Sequence, residues 1–195
     1  MSIKEQMEVT DKLEGLEAES RKINDNTDSL AKEIENIIKK FKENICNEIK
    51  NKILEQGKTN NFEITEKGNN WSMKYKNLEY IGNFTSPVKY VERINGTARS
   101  KVEFILELEK HRPNRDISLT GHYKSVIEQM EERITKEKAI LDKYQKFQET
   151  LKETDIIVKY QIGEQHIIKA SLPTPEDKRN YMTVKIDELV KIVIG

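Results

Sequence analysis

The sequence predicts an α+β protein: a long antiparallel helical hairpin of coiled-coil type, with an antiparallel β unit between the helices and a second small β unit at the C-terminus. Three observations predict it. Apolar residues recur at alternating steps of four and three over residues 1–56 and again over 122–153. Between these stretches the period falls to two, broken by Gly- and Asn-containing turns. Charged residues make up 35% of the chain, 34 basic against 34 acidic, with only 8 glycines. Balanced, dense charge suits long solvated helices.

The first helix is the strongest element. Val9, Leu13, Leu16, Ser20, Ile23, Thr27, Leu30, Ile34, Ile37 and Phe41 keep the four–three rhythm without a slip. Such a repeat lines one side of a helix and argues for a helical partner. Further on, Ile38, Ile45, Ile49, Ile53 and Leu54 widen the apolar face, which fits packing on a sheet or another helix. The weak point is residues 24–28, where Asn, Asp and Thr compete with the helical backbone for hydrogen bonds. A break in the helix is weighed there. Gly57-Lys58-Thr59 resembles the end of a phosphate-binding loop. That loop needs a glycine five positions earlier, where Lys52 stands, and it opens a helix instead of closing one. Gly57 therefore reads as a helix cap.

Residues 57–121 read as the antiparallel β unit. "FEITE" and "WSMKYK" flank a "KGNN" turn, and "LEYIGNF" is a third short strand. "VKYVERI" and "TARSKVEFILELE" flank Asn95-Gly96, a strong hairpin signal. In that last arm Val102, Phe104, Leu106 and Leu108 share one face while Glu103, Glu107 and Glu109 share the other, as a half-buried strand requires. "ISLTG" is a candidate further strand. Residues 122–153 form the second helix, with Tyr123, Ile127, Met130, Ile134, Glu137, Leu141, Tyr144, Gln148 and Leu151 as its seam. In residues 154–195, "DIIVKYQ" and "HIIKAS" read as a hairpin, "LPTPEDKRN" as a stiff loop, and "YMTVKI" and "LVKIVI" as strands.

A second helix over 122–153 is roughly 48 Å long at 1.5 Å per residue. Counted back from residue 56, an equal length of the first helix starts near Asp25. The first 24 residues are then left without a helical partner in the chain. Isolated helices of that size are marginal in water. Three outcomes stay open: cover by the strands after Asp155, pairing with another protein, or exposure. The second makes Val9, Leu13, Leu16, Ile23 and Leu30 a partner-binding surface. It describes a non-enzymatic interaction protein (adaptor, scaffold or inhibitor) that works as a homo-oligomer or in a hetero-complex.

Other chemistry is thinly represented. There is no nucleophile elbow, no His-Glu-x-x-His and no Cys-His pattern. His111, Asp116 and His122 lie near one another around a turn, but their spacing matches no metal signature, so neither metal nor cofactor is expected. Residues 57–121 carry three more basic than acidic side chains, and 1–56 three fewer. Lysines interleave with aromatics there, so nucleic acid or a nucleotide on the central β unit is the alternative reading. Its contacts would be Lys74, Lys76, Lys89, Arg93, Arg112 and Arg115. On a strand, Trp71, Met73 and Tyr75 fall on the face opposite Lys74 and Lys76, so the aromatics read as core instead. The single cysteine, Cys46, sits between Ile45 and Ile49 as a small apolar residue. No secretion signal or membrane-length apolar run is present, so a cytoplasmic setting without membrane contact is expected. The Asn83 and Asn95 glycosylation patterns then read as chance.

Overall fold

The computed structural model describes residues 3–83, 88–119, 121–164 and 181–194. Helix and antiparallel sheet are both present. In chain order come α1 (Ile3–Thr59), strands β1 (Glu63–Lys67), β2 (Asn70–Tyr75), β3 (Leu78–Asn83), β4 (Val88–Ile94) and β5 (Thr97–Leu108), and α2 (Val126–Thr150). A 3-10 turn (Glu153–Asp155), β6 (Ile156–Glu164), β7 (Met182–Val184) and α3 (Ile186–Ile194) follow. Contacts divide the chain into two units. One comprises Met1–Lys39 and Lys110–Lys152, the other Lys40–Glu109 and Glu153–Gly195.

Helix α1 is unbroken through residues 24–28. The side chains expected to interrupt it are used elsewhere. Thr27 donates its hydroxyl to the Ile23 carbonyl at 2.8 Å, and Asn24 reaches across to α2. The helix also runs past residue 56, to Thr59. Its end is a Schellman turn: the Phe62 amide donates to Gly57 O at 2.9 Å and the Asn61 amide to Lys58 O at 3.1 Å. The left-handed residue is Asn61, at φ 59. Gly57 is thus not the cap. It lies in the last turns of the helix and is buried, with the Met73 thioether close over its Cα; an added Cβ would stand 2.3 Å from Sδ.

The first unit pairs α1 with α2, and the direction differs from the expected antiparallel hairpin. Lys12 meets Glu131 at 2.9 Å and Glu19 meets Lys138 at 2.6 Å. Further on, Asn24 bonds Glu137 and Glu33 bonds Gln148. Numbers rise together on both helices, so the two run parallel. The reason lies in the connection. Residues 109–125 contain no helix or strand among the described residues. Extended at about 3.3 Å per residue, seventeen residues reach about 56 Å, more than the roughly 37 Å of a helix the length of α2. The connector can therefore return along α1: Arg112 pairs with Glu35 and, three residues later, Arg115 with Asp28. Helix α2 then starts at Val126, after an N-cap at Ser125 whose hydroxyl accepts the Glu128 amide at 3.2 Å. The expected strand at "ISLTG" is absent from its described residues.

In the second unit the sheet is a seven-stranded meander ordered β1 to β7, each neighbour antiparallel. The Asn95-Gly96 turn has φ 51 and 78, the double positive φ that a two-residue hairpin of this kind demands. The C-terminal strands do not make a separate β unit. Strand β6 pairs with β5 along its whole length, from Ser100↔Glu164 to Leu108↔Ile156. An unpaired flank on the twelve-residue β5 would leave a row of backbone groups without partners. "LVKIVI" is helix, not strand: Leu189, Val190 and Val193 of α3 are all buried, a one-sided pattern that a short apolar run does not reveal. The expected "HIIKAS" strand and "LPTPEDKRN" loop lie outside the described residues. Ile49, Ile53, Met73, Phe104 and Leu189 have no exposure at all. Each such side chain contributes about 1.5–3 kcal/mol by burial.

Candidate functional site at the N-terminal end of the helix pair

Where α2 begins, the cover over α1 thins. Near this end Lys12 of α1 meets Glu131 of α2 at 2.9 Å. Ahead of it, Ile3 is 78% exposed, Met7 62% and Val9 40%, and Val126 at the start of α2 is 62% exposed. Of the seam residues expected to bind a partner, Val9 is exposed, Leu13, Leu16 and Leu30 are half-buried, and Ile23 is buried. Ile23 is covered inside its own unit, whereas Leu30, like Leu13 and Leu16, is covered only in part. Ile3 and Met7, which the seam spacing alone did not include, are the more exposed apolar residues at this end. The signal for those two was their i, i+4 spacing beside the seam.

The middle of the helix pair is polar. Ser20, Thr27 and Glu137 are all buried. Glu137 Oε1 accepts hydrogen bonds from Asn24 Nδ2 at 3.0 Å and from Arg133 Nε at 2.9 Å. Its Oε2 is buried with no hydrogen-bond partner among the described residues. Glu137 was visible in the sequence as the charged member of an apolar seam. Asn24 was visible only as a supposed helix breaker.

The connector is held by an arginine. Arg115 donates to Asp28, to the Thr27 carbonyl at 3.0 Å and to the Tyr144 hydroxyl at 3.2 Å, with its guanidinium 5.3 Å from the Tyr144 ring. Tyr144 in turn donates to the Pro113 carbonyl at 3.1 Å. The Asp28 carboxylate and Tyr144 hydroxyl raise the Arg115 pKa further above its ordinary value. A cleft of about 390 Å³ lies beside this clamp, lined by Ile34, Arg112, Pro113, Tyr144 and Phe147 among others. Arg112 and Arg115 therefore act as fasteners to α1, each already matched to a carboxylate.

In the second unit, Lys89 lies 3.8 Å from Glu103 and Arg93 3.9 Å from Glu79. Lys74 and Lys76 are exposed. The Lys76 amine stands 5.3 Å from the ring centroid of Tyr75, which is 42% exposed and packs at 5.6 Å against Phe62. Trp71 and Met73 are core, as their alternation suggested, and Tyr75 at the strand end is the exception. Of the proposed phosphate contacts, Lys76 keeps an exposed aromatic beside it and Lys74 is exposed, whereas Lys89 and Arg93 are drawn to carboxylates. No group of three or more His, Cys, Asp or Glu among the described residues is placed to hold a metal ion. No described helix is long and apolar enough to cross a membrane. Comparison with protein-family models, with curated proteins and with solved structures yields no match.

Proposed function

We propose that this chain is a non-enzymatic interaction protein, an assembly factor, adaptor or inhibitor, whose docking surface is the N-terminal end of α1. The observation that supports the reading is the exposure of Ile3, Met7 and Val9, all N-terminal to the Lys12–Glu131 pair. In this reading the helix pair is a short parallel coiled coil. Lys12–Glu131 and Glu19–Lys138 recur one heptad apart on each helix, as pairs flanking such a seam do. Ahead of the Lys12–Glu131 pair, the apolar side chains of α1 are exposed as half of a seam.

The magnitude limits what can bind. Burying three such side chains contributes about 5–8 kcal/mol, which association costs of about 4–15 kcal/mol largely offset. A useful partner must therefore reach the half-buried Leu13 and Leu16 as well. A helix laid along α1 does this, and a second copy of this chain carries one.

Sedimentation equilibrium of the intact protein tests the reading. The parent is expected to associate with rising concentration. A Met7→Glu/Val9→Glu variant is expected to remain monomeric with the same thermal midpoint. A parent that stays monomeric up to millimolar concentration would remove self-association, and unaltered association in the variant would move the surface elsewhere. The second reading, nucleic acid or a nucleotide on the sheet unit, is supported by Tyr75 standing exposed beside Lys76, with Lys74 also exposed. It requires binding that weakens steeply with salt and is lost in Tyr75→Ala.

A further inference from the structure

We infer that Glu137 decides which helix α2 accepts: it admits α1 of its own chain, in one register, and refuses α2 of another copy. Glu137 occupies an inward seam position and is 2% exposed. One of its oxygens is served from two directions, by Asn24 across the pair and by Arg133 on its own helix. The other oxygen has no partner among the described residues. A buried carboxylate with half its acceptors unmet weakens the pair that contains it. Such a residue has an attested use in fixing the register and partner of helix pairs.

The neighbouring residues show how the choice is made. Among the described residues, Asn24 is the α1 residue that supplies Glu137 with a donor. Slide α2 by one heptad, and the position of Asn24 is taken by Ala31, which has no side-chain donor, or by Glu17, which repels. Pair α2 in parallel with another α2, and Glu137 faces Glu137, two buried like charges, with each Arg133 already committed to the Glu137 of its own helix. Thr27 does not supply an equivalent. Thr27 has already given its hydroxyl to Ile23 O. The polar middle of the seam therefore favours the pairing seen within the chain over exchange between copies. This holds whether or not the end of α1 docks a partner.

The experiment uses the full chain with Cys46→Ser and Leu141→Cys, so that α2 carries the only thiol on its half-buried seam. With Glu137 retained, oxidation should give little covalent dimer. Adding Glu137→Leu should raise the thermal midpoint and increase the covalent dimer several-fold. Glu137→Gln, which keeps the size and the bond to Asn24 but removes the charge, should increase the dimer to a lesser extent. Asn24→Ala should lower the midpoint when Glu137 is present and have little effect after Glu137→Leu. Unchanged cross-linking in both Glu137 variants would overturn the inference, as would an equal loss of stability from Asn24→Ala in both backgrounds. If Glu137→Leu fails to fold, the Gln variant and the Asn24 comparison against it decide the matter. Dimer formed through the end of α1 would be present equally with and without the Glu137 changes, so the two surfaces are separable.

Discussion

Trp71 and Gly82 are register partners on β2 and β3, and a Cβ at Gly82 would stand 2.2 Å from the indole ring. Trp71 is 2% exposed, so the ring has no free space to retreat into. Gly82→Ala should therefore destabilise by about 1–3 kcal/mol, the usual cost of overpacking a tight core. Gly57→Ala provides the comparison. Its clash is with the flexible Met73 thioether, and alanine regains about 1 kcal/mol in a helix. Urea denaturation should rank Gly82→Ala as the more damaging. The reverse order would mean that the indole, not the thioether, is the group able to move.

Lys76 has φ 51, a conformation that costs a side-chain-bearing residue roughly 1–2 kcal/mol relative to glycine. Part of the gain from glycine is lost to the greater freedom of the unfolded chain. Lys76→Gly should then stabilise by about 0.5–1 kcal/mol and raise the thermal midpoint by about 1–4 °C. The measurement is a calorimetric melt. A lowered midpoint would show that the lysine's position over Tyr75 is worth more than its backbone strain.

How much could be read without coordinates depended on the range of the interaction. Hairpins are local, so Lys67-Gly68-Asn69 and Asn95-Gly96 could be placed from their own residues. The seam on α1 was likewise legible through to Ile34, and the widening of its apolar face from Ile38, both buried. Helix direction was not, because a four–three rhythm reads the same from either end. It is set by the path of residues 109–125, and that path depends on Arg112 and Arg115 finding Glu35 and Asp28, about eighty positions away. The same limit applied to the candidate site. Spacing singled out Val9, Leu13 and Leu16 as candidates. The covering of Ile23 and the bond from Asn24 to Glu137 depend on the placement of α2. At the C-terminus, β-branched residues suggested a strand, and the one-sided burial of Leu189, Val190 and Val193 made a helix instead.

Arg115→Ala should loosen the connector more than the helices. It removes the bonds to Asp28, Thr27 and Tyr144 together, a loss of about 1–2 kcal/mol given the exposure of the group. Limited proteolysis should show faster cleavage within residues 109–125. Arg115→Lys should recover little of the protection, since a lysine cannot donate in three directions from a planar fork. Cleavage rates equal to the parent would show that the remaining contacts, such as Lys136 to Ser118 O, suffice to hold the connector.

Cys46 links the packing of α1 to pH. Burial, with a smaller contribution from the Glu43 carboxylate and opposed by Lys42, pushes its thiol from 9.0 up to about 11. The fold therefore favours the neutral thiol, while the unfolded chain releases its proton from about pH 9 upward. Between these values the unfolded state binds fewer protons, so stability falls as pH rises. Below pH 9 the group has no effect. Two pKa units would correspond to roughly 2.7 kcal/mol; solvent screening at a half-buried site reduces this to about 1–2 kcal/mol. Unfolding free energies of the parent and of Cys46→Ala, compared at pH 8 and pH 11, isolate the effect from Tyr80, whose own raised pKa acts equally in both proteins. The parent should lose about 1–2 kcal/mol more than the variant across that range. Parallel losses would mean that the thiol ionises in the fold as readily as in the open chain.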